Sequence, residues 1–266
     1  MAASGQRRDP HLLGSAGSPH RLSDCSSKLE ELCQRYWWCP SLVRLSAALQ
    51  GLDDIHGIPH TVRVLCNVLQ LLERLEPGQR LEVDEESLLI ATLLHDTGRA
   101  LEHQTGRHHA ELGALIADAV ARLMRLDGSR IEKIKSIIVE HSFSFRKKPR
   151  SIESCILSDA DKLDALGMVG LYRAISTGAL VGRNIEGTID HYYEKLAILP
   201  DKMCLEVSKI LARERLASLA ESIEALESEL SQYVGSIKLV LSKIVKLGSP
   251  GDGSAEHPPP GDRWRG

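Results

Sequence analysis

The sequence has 266 residues, of which 42% are hydrophobic and 4% aromatic, and its formal net charge is -3 at pH 7. This length fits one large domain, or one domain with appendages, and the apolar content is enough for a core of Leu, Ile, Val and Ala. The slightly acidic balance argues against broad docking on nucleic acid or on a membrane surface. It still allows a local basic pocket for a phosphate-bearing small molecule.

The six cysteines are scattered and form no C-x-x-C pair, which argues against a zinc ribbon or a thioredoxin-type motif. The N-terminus has no apolar segment of the kind found in signal peptides, and no apolar run approaches the roughly 20 residues of a membrane span. We therefore expect a cytoplasmic protein with reduced thiols, with no membrane partner and no nucleic-acid partner.

The two ends of the chain differ from its middle in composition. Residues 1–24 are rich in Ser, Gly, Arg and Pro and predict a flexible N-terminus, and residues 248–266 predict a disordered tail. Residues 25–247 show helical periodicity in nearly every segment and no sustained period-two alternation. The fold class predicted for this segment is all-α.

Apolar residues at helical spacing predict the helices of this segment in chain order. Pro59 suits a first helical turn, and the helix that it opens ends near residues 76–78. The next helix spans 84–95, is apolar on several sides and is expected to stop at Gly98. Further helices are predicted over 108–126, from a capping box at 129–132, over 151–163 and over 185–200.

The last predicted helix is very long. Its apolar residues step by threes and fours from Leu216 to Ile244, a pattern typical of a coiled-coil seam, and Gly235 is a candidate break. Two interpretations stay open: a long helix folded back on the body of the protein, or the seam of a homodimer.

Several helix ends and apolar helix faces carry residues that commonly bind metals. His95 and Asp96 end the apolar run of one helix, although an unpaired buried charge is costly. His60 begins another helix, and Asp161 follows a third apolar run. His109 and His141 continue the apolar faces of two more helices. Several predicted helices are thus each expected to place one histidine or aspartate side chain in the interior of the protein.

Each of these positions also has a structural interpretation. A single histidine on an apolar face is more often a hydrogen-bonded core residue than a ligand, and Asp161 alone could cap a helix or form a salt bridge. A chance coincidence of five or six such positions is far less common. Imidazole and carboxylate without thiolate suit Mn, Fe, Ni, Co, Zn or Mg chemistry rather than a structural zinc site. The sequence therefore predicts a divalent metal site with positions open for water and a phosphate oxygen.

These residues resemble the pattern of the HD-domain metal-dependent phosphohydrolases, which is H…HD…D on an all-helical bundle. The pattern falls here on His60, on the pair His95-Asp96 and on Asp161. The resemblance covers roughly residues 50–230. Three more motifs resemble an uncharacterised bacterial and archaeal subgroup of these hydrolases: His108-His109-Ala110, Glu140-His141-Ser142-Phe143 and Gly182-Arg183-Asn184-Ile185-Glu186.

The resemblance implies an HD-domain helical bundle with a long C-terminal helix and one divalent ion held by His60, His95, Asp96 and Asp161. It implies hydrolysis of a phosphoester or phosphoanhydride bond, in a nucleotide first of all, by a nucleotide phosphatase or a nucleoside triphosphate pyrophosphohydrolase. The Gly-Tyr-Pro signature of cyclic-dinucleotide phosphodiesterases is absent, and the acidic pair of alarmone hydrolases is not found. Neither of those two activities is therefore supported.

Two histidines near the metal ligands have alternative roles in this family. His109 and His141 either bind the phosphate and move protons near neutral pH, which we favour, or hold a second metal. Asp96, as a metal ligand, belongs to the catalytic group with them.

Three further side chains are candidates for contact with the substrate. His56 lies one helical turn before His60, and a catalytic role and a loop hydrogen bond have equal support. Arg99 could clamp a phosphate or form a surface salt bridge. Lys162 could neutralise phosphate charge or pair with a neighbouring aspartate, Asp159 or Asp96. Arg63 and Arg183 have similar ambiguity, and we interpret Arg63 as structural and Arg183 as structural or on the pocket rim.

The main functional alternative is a non-catalytic nucleotide-sensing or scaffold protein that keeps the HD fold. The long C-terminal seam supports this alternative, whereas the complete set of metal ligands argues against it, because a scaffold has no need of them. A nuclease is disfavoured, because the sequence has no basic stripe with interleaved aromatic residues.

Overall fold

The computed structural model describes residues 20–142, 145 and 147–247, and within them it contains helices and no strand. The all-α prediction is therefore confirmed. The helices are α1 (His20–Arg35), α2 (Cys39–Gln50), α3 (Ile58–Arg74), α4 (Pro77–Glu82), α5 (Glu85–Leu94), α6 (Arg99–Thr105), α7 (His109–Leu123), α8 (Gly128–His141), α9 (Ile152–Asp164), α10 (Gly167–Leu180), α11 (Ile185–His191) and α12 (Glu206–Leu247). A π-helical turn (Tyr192–Leu196) and a 3-10 turn (Leu199–Lys202) lie between α11 and α12.

The chain divides into two compact units, the first ending at Leu219 and the second beginning at Ala220. The segment 25–247, expected from the sequence to be one bundle, is thus shared between them. α12 is helical through Gly235, so the break considered at this glycine does not occur. The homodimer seam along α12 stays a prediction.

α5 is the central helix of the first unit. All of its residues from Ser87 to Leu94 are buried, and it packs against α2, α3, α7, α8 and α9. A helix that is apolar on every side is stable in such a position. Asp84 caps its N-terminus, because the carboxylate accepts a hydrogen bond from the Ser87 backbone N at 3.1 Å. The other end of α5 therefore delivers His95 and Asp96 into the interior.

Three predicted helix boundaries are wrong. Gly98 has φ -80° and stands before α6, so it does not end a helix in the left-handed conformation. α8 is capped by Asp127, which accepts from the Arg130 backbone N at 3.0 Å, whereas Ser129 only donates to Asp127. The helix expected over 185–200 is divided into α11, the π-helical turn and the 3-10 turn. In each case local hydrogen bonds determine where the helix begins or ends. The spacing of apolar residues in the sequence carries no information about these bonds.

The N-terminal region also differs from the expectation. α1 begins at His20, so residues 20–24 are helical, and residues 1–19 and 248–266 lie outside the described residues. Cys25 lies beside Cys66 and Cys33 lies beside Cys39, with Cα atoms 5.9 Å and 4.8 Å apart. The first of these pairs links α1 to α3, a contact that cysteine spacing does not reveal. Among the described helices, none is long and apolar enough to cross a membrane.

Candidate metal centre

Four side chains meet in the interior beyond the end of α5. His60 comes from the first turn of α3, His95 and Asp96 follow α5, and Asp161 comes from α9. The His60 Nε2 atom lies 3.4 Å from Asp161 Oδ1, 3.4 Å from His95 Nε2 and 3.7 Å from Asp96 Oδ2. The structure thus brings together the four residues predicted as metal ligands, although they are up to 101 positions apart in the chain.

The donor atoms of this cluster form two overlapping groups of three, each spaced closely enough to hold a cation. One ligand atom each from His60, His95 and Asp161 lies within 4.8 Å of the others, and the same holds for His56, His60 and Asp96. An ion with ligand distances of about 2.0–2.2 Å can reach donor atoms up to roughly 4.4 Å apart. The distances of 3.4 to 3.7 Å around His60 Nε2 lie within this reach. Imidazole nitrogens and carboxylate oxygens fit zinc, manganese or iron, which accept mixed ligands. The residues present therefore fit a divalent ion.

The two histidines of the cluster are each oriented by a second acceptor. His60 Nδ1 lies 2.7 Å from Asp164 Oδ2, and His95 Nδ1 lies 2.7 Å from the Thr92 carbonyl oxygen. These acceptors place the proton on Nδ1 of each ring, so Nε2 presents its lone pair to the centre.

Asp164 supports the cluster, although no role for it was predicted from the sequence. Its buried carboxylate accepts from His60, from Arg63 Nε at 2.8 Å and from Arg173 Nη1 at 2.9 Å. Burial alone would raise the pKa of Asp164, but the hydrogen bonds from His60 and Arg63 hold it below its usual value. Arg63 is therefore structural, as interpreted from the sequence. The only sequence signal for Asp164 was its place three residues after Asp161.

The two oxygens of Asp96 face different sets of histidines. Oδ2 lies near His60 and 3.6 Å from His56 Nδ1, whereas Oδ1 lies 3.6 Å from His109 Nε2 and 3.8 Å from His141 Nε2. The His109 Nε2 atom is buried and has no hydrogen-bond partner within the described part of the chain. Asp96 thus connects the metal cluster with all three additional histidines that the sequence selected.

Glu102 is a second functional residue that the sequence did not reveal. It lies 3.1 Å from His109 Nδ1 and so directs the opposite nitrogen of this ring towards Asp96. Arg99 joins the same group, since its Nε donates to Asp96 Oδ1 at 3.1 Å and its Nη1 lies 3.6 Å from Glu102. This contact is the salt bridge considered for Arg99, although it lies at the site rather than on the surface.

A cavity of about 130 Å³ lies beside the cluster and is lined in part by Arg99, Asp161 and Lys162. The Asp161 side chain is 25% exposed, so the centre can be reached from this side. The Lys162 Nζ atom donates to the Ser158 carbonyl at 3.0 Å and to the Ser158 hydroxyl at 2.6 Å, and lies 3.8 Å from Asp159. These contacts correspond to the pairing alternative for Lys162, while its position still contributes positive charge to the cavity wall.

The centre combines ionised carboxylates with histidines of two kinds: burial opposes the charge of His60, but hydrogen bonds with Asp161 and Asp164 raise its pKa, whereas burial lowers the pKa of His95, His109 and His141. Burial alone would raise the pKa of Asp96, but the charges of Arg99 and His95 hold it well below its usual value. The pKa of Asp161 is also held well below its usual value, against burial, by the hydrogen bond and charge of His60. Burial lowers the pKa of His109 to about 4 and that of His141 to about 3. Neutral imidazole is the form that binds metals.

The buried histidines predict a stability that depends on pH. In the unfolded chain a histidine has a pKa of about 6.5, whereas in the folded, metal-free protein His109 titrates at about 4 and His141 at about 3. Their contribution is therefore complete above pH 6.5 and is lost as pH falls towards these values. Between pH 7 and pH 5 we expect a loss of roughly 2 kcal/mol for each histidine.

Urea unfolding at several pH values in the presence of a chelator measures this loss. The double variant His109→Gln, His141→Gln should flatten the dependence between pH 7 and pH 5. An unchanged dependence in this variant would show that the two imidazoles are not the groups that titrate.

The turn that carries His95 and Asp96 packs directly against the backbone of α7. A Cβ atom on Gly98 would lie 2.3 Å from the His109 carbonyl oxygen and 2.6 Å from the Gly113 nitrogen. A Cβ atom on Gly113 would lie 2.9 Å from the His95 carbonyl oxygen. Because these distances leave no room for a methyl group, the close approach requires glycine at both positions.

Comparison with known proteins agrees with this geometry. The family model described as HD domain matches residues 57–166, which include the four clustered side chains. This segment of the chain is therefore similar to the HD-domain family.

Two relatives illustrate the extent of the match. A predicted HD superfamily hydrolase from an uncultured Thermotogales bacterium is 27% identical, with a TM-score of 0.57 over 76% of this chain and 98% of that one. The uncharacterized protein YpgQ of Bacillus subtilis (strain 168) is 33% identical over 107 residues, which are 37% of this chain and 52% of YpgQ. That sequence match thus spans about half the length of this curated relative. A structure of YpgQ in complex with ADP has a TM-score of 0.56 at 24% identity, over 71% of this chain and 93% of that one.

Proposed function

We propose that this protein is a metal-dependent phosphohydrolase that cleaves a phosphoester or phosphoanhydride bond in a nucleotide. The observation that carries the proposal is the meeting of His60, His95, Asp96 and Asp161 in one centre beside a basic cavity. Relatives described as HD superfamily hydrolases support the reaction class, and the complex of YpgQ with ADP supports a nucleotide. Either a nucleotide phosphatase or a nucleoside triphosphate pyrophosphohydrolase satisfies these observations.

The metal ligands and the residues behind them have separate tasks. His60, His95, Asp96 and Asp161 would hold a divalent ion, and such an ion polarises a phosphoryl oxygen and acidifies water. Asp164 fixes the ring of His60, since it accepts from Nδ1 and leaves Nε2 directed inward.

Cationic and histidine side chains around the centre would bind the phosphate. Arg99 is 31% exposed at the cavity and can donate to a phosphate oxygen while it holds Asp96. Lys162 also lines this cavity and adds positive charge to it. His56, with 38% of its side chain exposed, is the histidine best placed to meet a leaving group or an incoming water.

His109 and His141 support two versions of the site. Their Nε2 atoms both face Asp96 Oδ1, and both rings are neutral at pH 7 because burial lowers their pKa values to about 4 and about 3. They can accept a hydrogen bond from a protonated phosphate, whereas proton transfer near neutral pH, as predicted from the sequence, requires a higher pKa. One ligand atom each from His95, Asp96 and His141 also lies within 4.8 Å of the others, which is the spacing of a second ion. The number of ions bound per chain distinguishes the versions.

Elemental analysis and a substrate panel test the proposed function together. We expect the purified protein to retain one or two divalent ions per chain and to hydrolyse nucleotides after addition of manganese. Identification of the products names the bond: orthophosphate indicates a phosphatase, and pyrophosphate with a monophosphate indicates a pyrophosphohydrolase. A protein that holds no metal and hydrolyses no nucleotide in manganese would instead be the scaffold or nucleotide sensor.

A further inference from the structure

A second cavity adjoins the one beside the metal centre. It has a volume of about 210 Å³, and α10, α11 and the π-helical turn supply most of its lining. Both cavities share His56, Ala165, Arg173 and Lys195 in their walls. Because the two cavities share part of their walls, one molecule held at the metal centre can extend into the second cavity.

The wall of the second cavity is strongly basic. Arg173, Arg183, His191 and Lys195 line it, and its described lining includes no carboxylate. Arg173 is paired with Asp164 at 2.9 Å, whereas Arg183 and Lys195 form no ion pair with any other described residue. Positive charge that has no acidic partner in such a wall attracts an anion.

Two guanidinium nitrogens of this wall lack an acceptor. Arg173 Nε and Arg183 Nη1 are both buried, and neither has a hydrogen-bond partner within residues 20–142, 145 and 147–247. A buried donor without a partner is costly, so native structures usually supply an acceptor. An oxyanion bound in the cavity would provide acceptors for both arginines.

The π-helical turn places a third cation at the same wall. Tyr192 and Leu196 are buried, while Lys195 between them lines both cavities. π-helical turns are rare and occur often at functional sites. Burial and the charges of Arg183 and Lys195 lower the pKa of His191 to about 4, so this histidine is neutral at pH 7 and does not compete for an anion.

We propose that the second cavity is an anion subsite, formed by Arg173, Arg183 and Lys195, that binds a phosphate group linked to the one at the metal centre. Substrates with two or more linked phosphates are then preferred over monophosphates. This subsite rests on the proposed function of the metal centre, since that centre fixes where the first phosphate lies.

Calorimetric titration of the purified, metal-containing protein tests the subsite through binding, a readout other than nucleotide hydrolysis. Inorganic tripolyphosphate can fill both positions, whereas inorganic orthophosphate can fill the metal-side position alone. The variant Lys195→Gln should weaken tripolyphosphate binding about tenfold, the size expected for loss of one charge-assisted hydrogen bond. The dissociation constant of orthophosphate should change less than about twofold in the same variant.

Two further variants make the titration decisive. Lys202→Gln, at an exposed lysine of the 3-10 turn, removes the same charge nearby and should leave tripolyphosphate binding unchanged. Arg183→Gln should weaken tripolyphosphate binding to the same extent as Lys195→Gln. Measurement of the helix content and melting temperature of this variant checks that it is folded. Binding that is equal in the unaltered protein, Lys195→Gln and Arg183→Gln would overturn the subsite.

The same variants separate the subsite from the proposed function. If Lys195→Gln loses tripolyphosphate affinity but the unaltered protein hydrolyses no phosphate compound, the subsite stands and the proposed function fails. If the protein hydrolyses monophosphates and triphosphates equally well and Lys195→Gln changes neither, the proposed function stands and the subsite fails.

Discussion

Replacement of Asp96 by asparagine is expected to remove the bound metal and to lower nucleotide hydrolysis by more than about 100-fold, since the loss of supporting residues around a metal already costs 10–100-fold. Asp96 is the only residue whose two carboxylate oxygens face both halves of the described centre, with His60 on one side and His109 on the other. Asparagine keeps the size of the side chain and removes its charge. The effect should therefore be on metal binding and not on packing.

Metal content and hydrolysis measured on the same preparation check this expectation. Asp190→Asn is the matched control, because Asp190 is exposed on α11 and the same chemical change there should alter neither quantity. If Asp96→Asn kept full metal content and activity, the assignment of the centre to Asp96 would be wrong.

Replacement of Asp164 by alanine is expected to destabilise the protein by about 3–5 kcal/mol, the cost of breaking a buried charge pair. The change would leave the guanidinium groups of Arg63 and Arg173 without their shared carboxylate, and would free the ring of His60 to rotate. Metal affinity should fall about 10–100-fold as a consequence.

Urea unfolding and metal titration measure the two effects of Asp164→Ala separately. Asp54→Ala is the control, because Asp54 also lies near Arg63, at 3.7 Å, but its side chain is 55% exposed. An exposed pair of this kind contributes less than about 1 kcal/mol. Equal effects of the two substitutions would mean that Asp164 does not hold His60 in place.

The helices and the clustered histidine and aspartate side chains were the parts of this protein most open to prediction from sequence. Apolar periodicity is strong in α3, and α5 is apolar on every side. The ends of these two helices carry His60 and the pair His95-Asp96 at positions where a side chain must enter the interior. Asp161 was found because it follows an apolar run of the same kind. Each of these residues is polar, although the apolar residues next to it predict a buried position. This combination makes them recognisable in the sequence.

The residues that support the ligands carry no such mark. Glu102 and Asp164 act through partners that are seven and 104 positions away, His109 and His60. Arg173 and Lys195 are surface-type residues in sequence and reach the site only because α10 and the π-helical turn fold beside α9. Partnerships of this kind depend on tertiary packing, which the period of apolar residues does not specify.

α10 was not predicted because its apolar residues do not form one buried stripe. Met168, Tyr172 and Ile175 are exposed, while the buried positions of the helix include Gly170 and Gly178. Small buried residues and large exposed ones reverse the usual pattern of a helix at the edge of a core.

The contact of Gly98 and Gly113 has a consequence for tolerance to mutation. Because no side chain separates the turn that carries His95 and Asp96 from α7, these two residues and the neighbouring His109 share one rigid support. A methyl group at position 113 would touch no substrate and bind no metal, yet it would push the turn away from the helix. Natural variation should therefore be narrowest not only at the residues that perform chemistry but also at two positions that have no side chain.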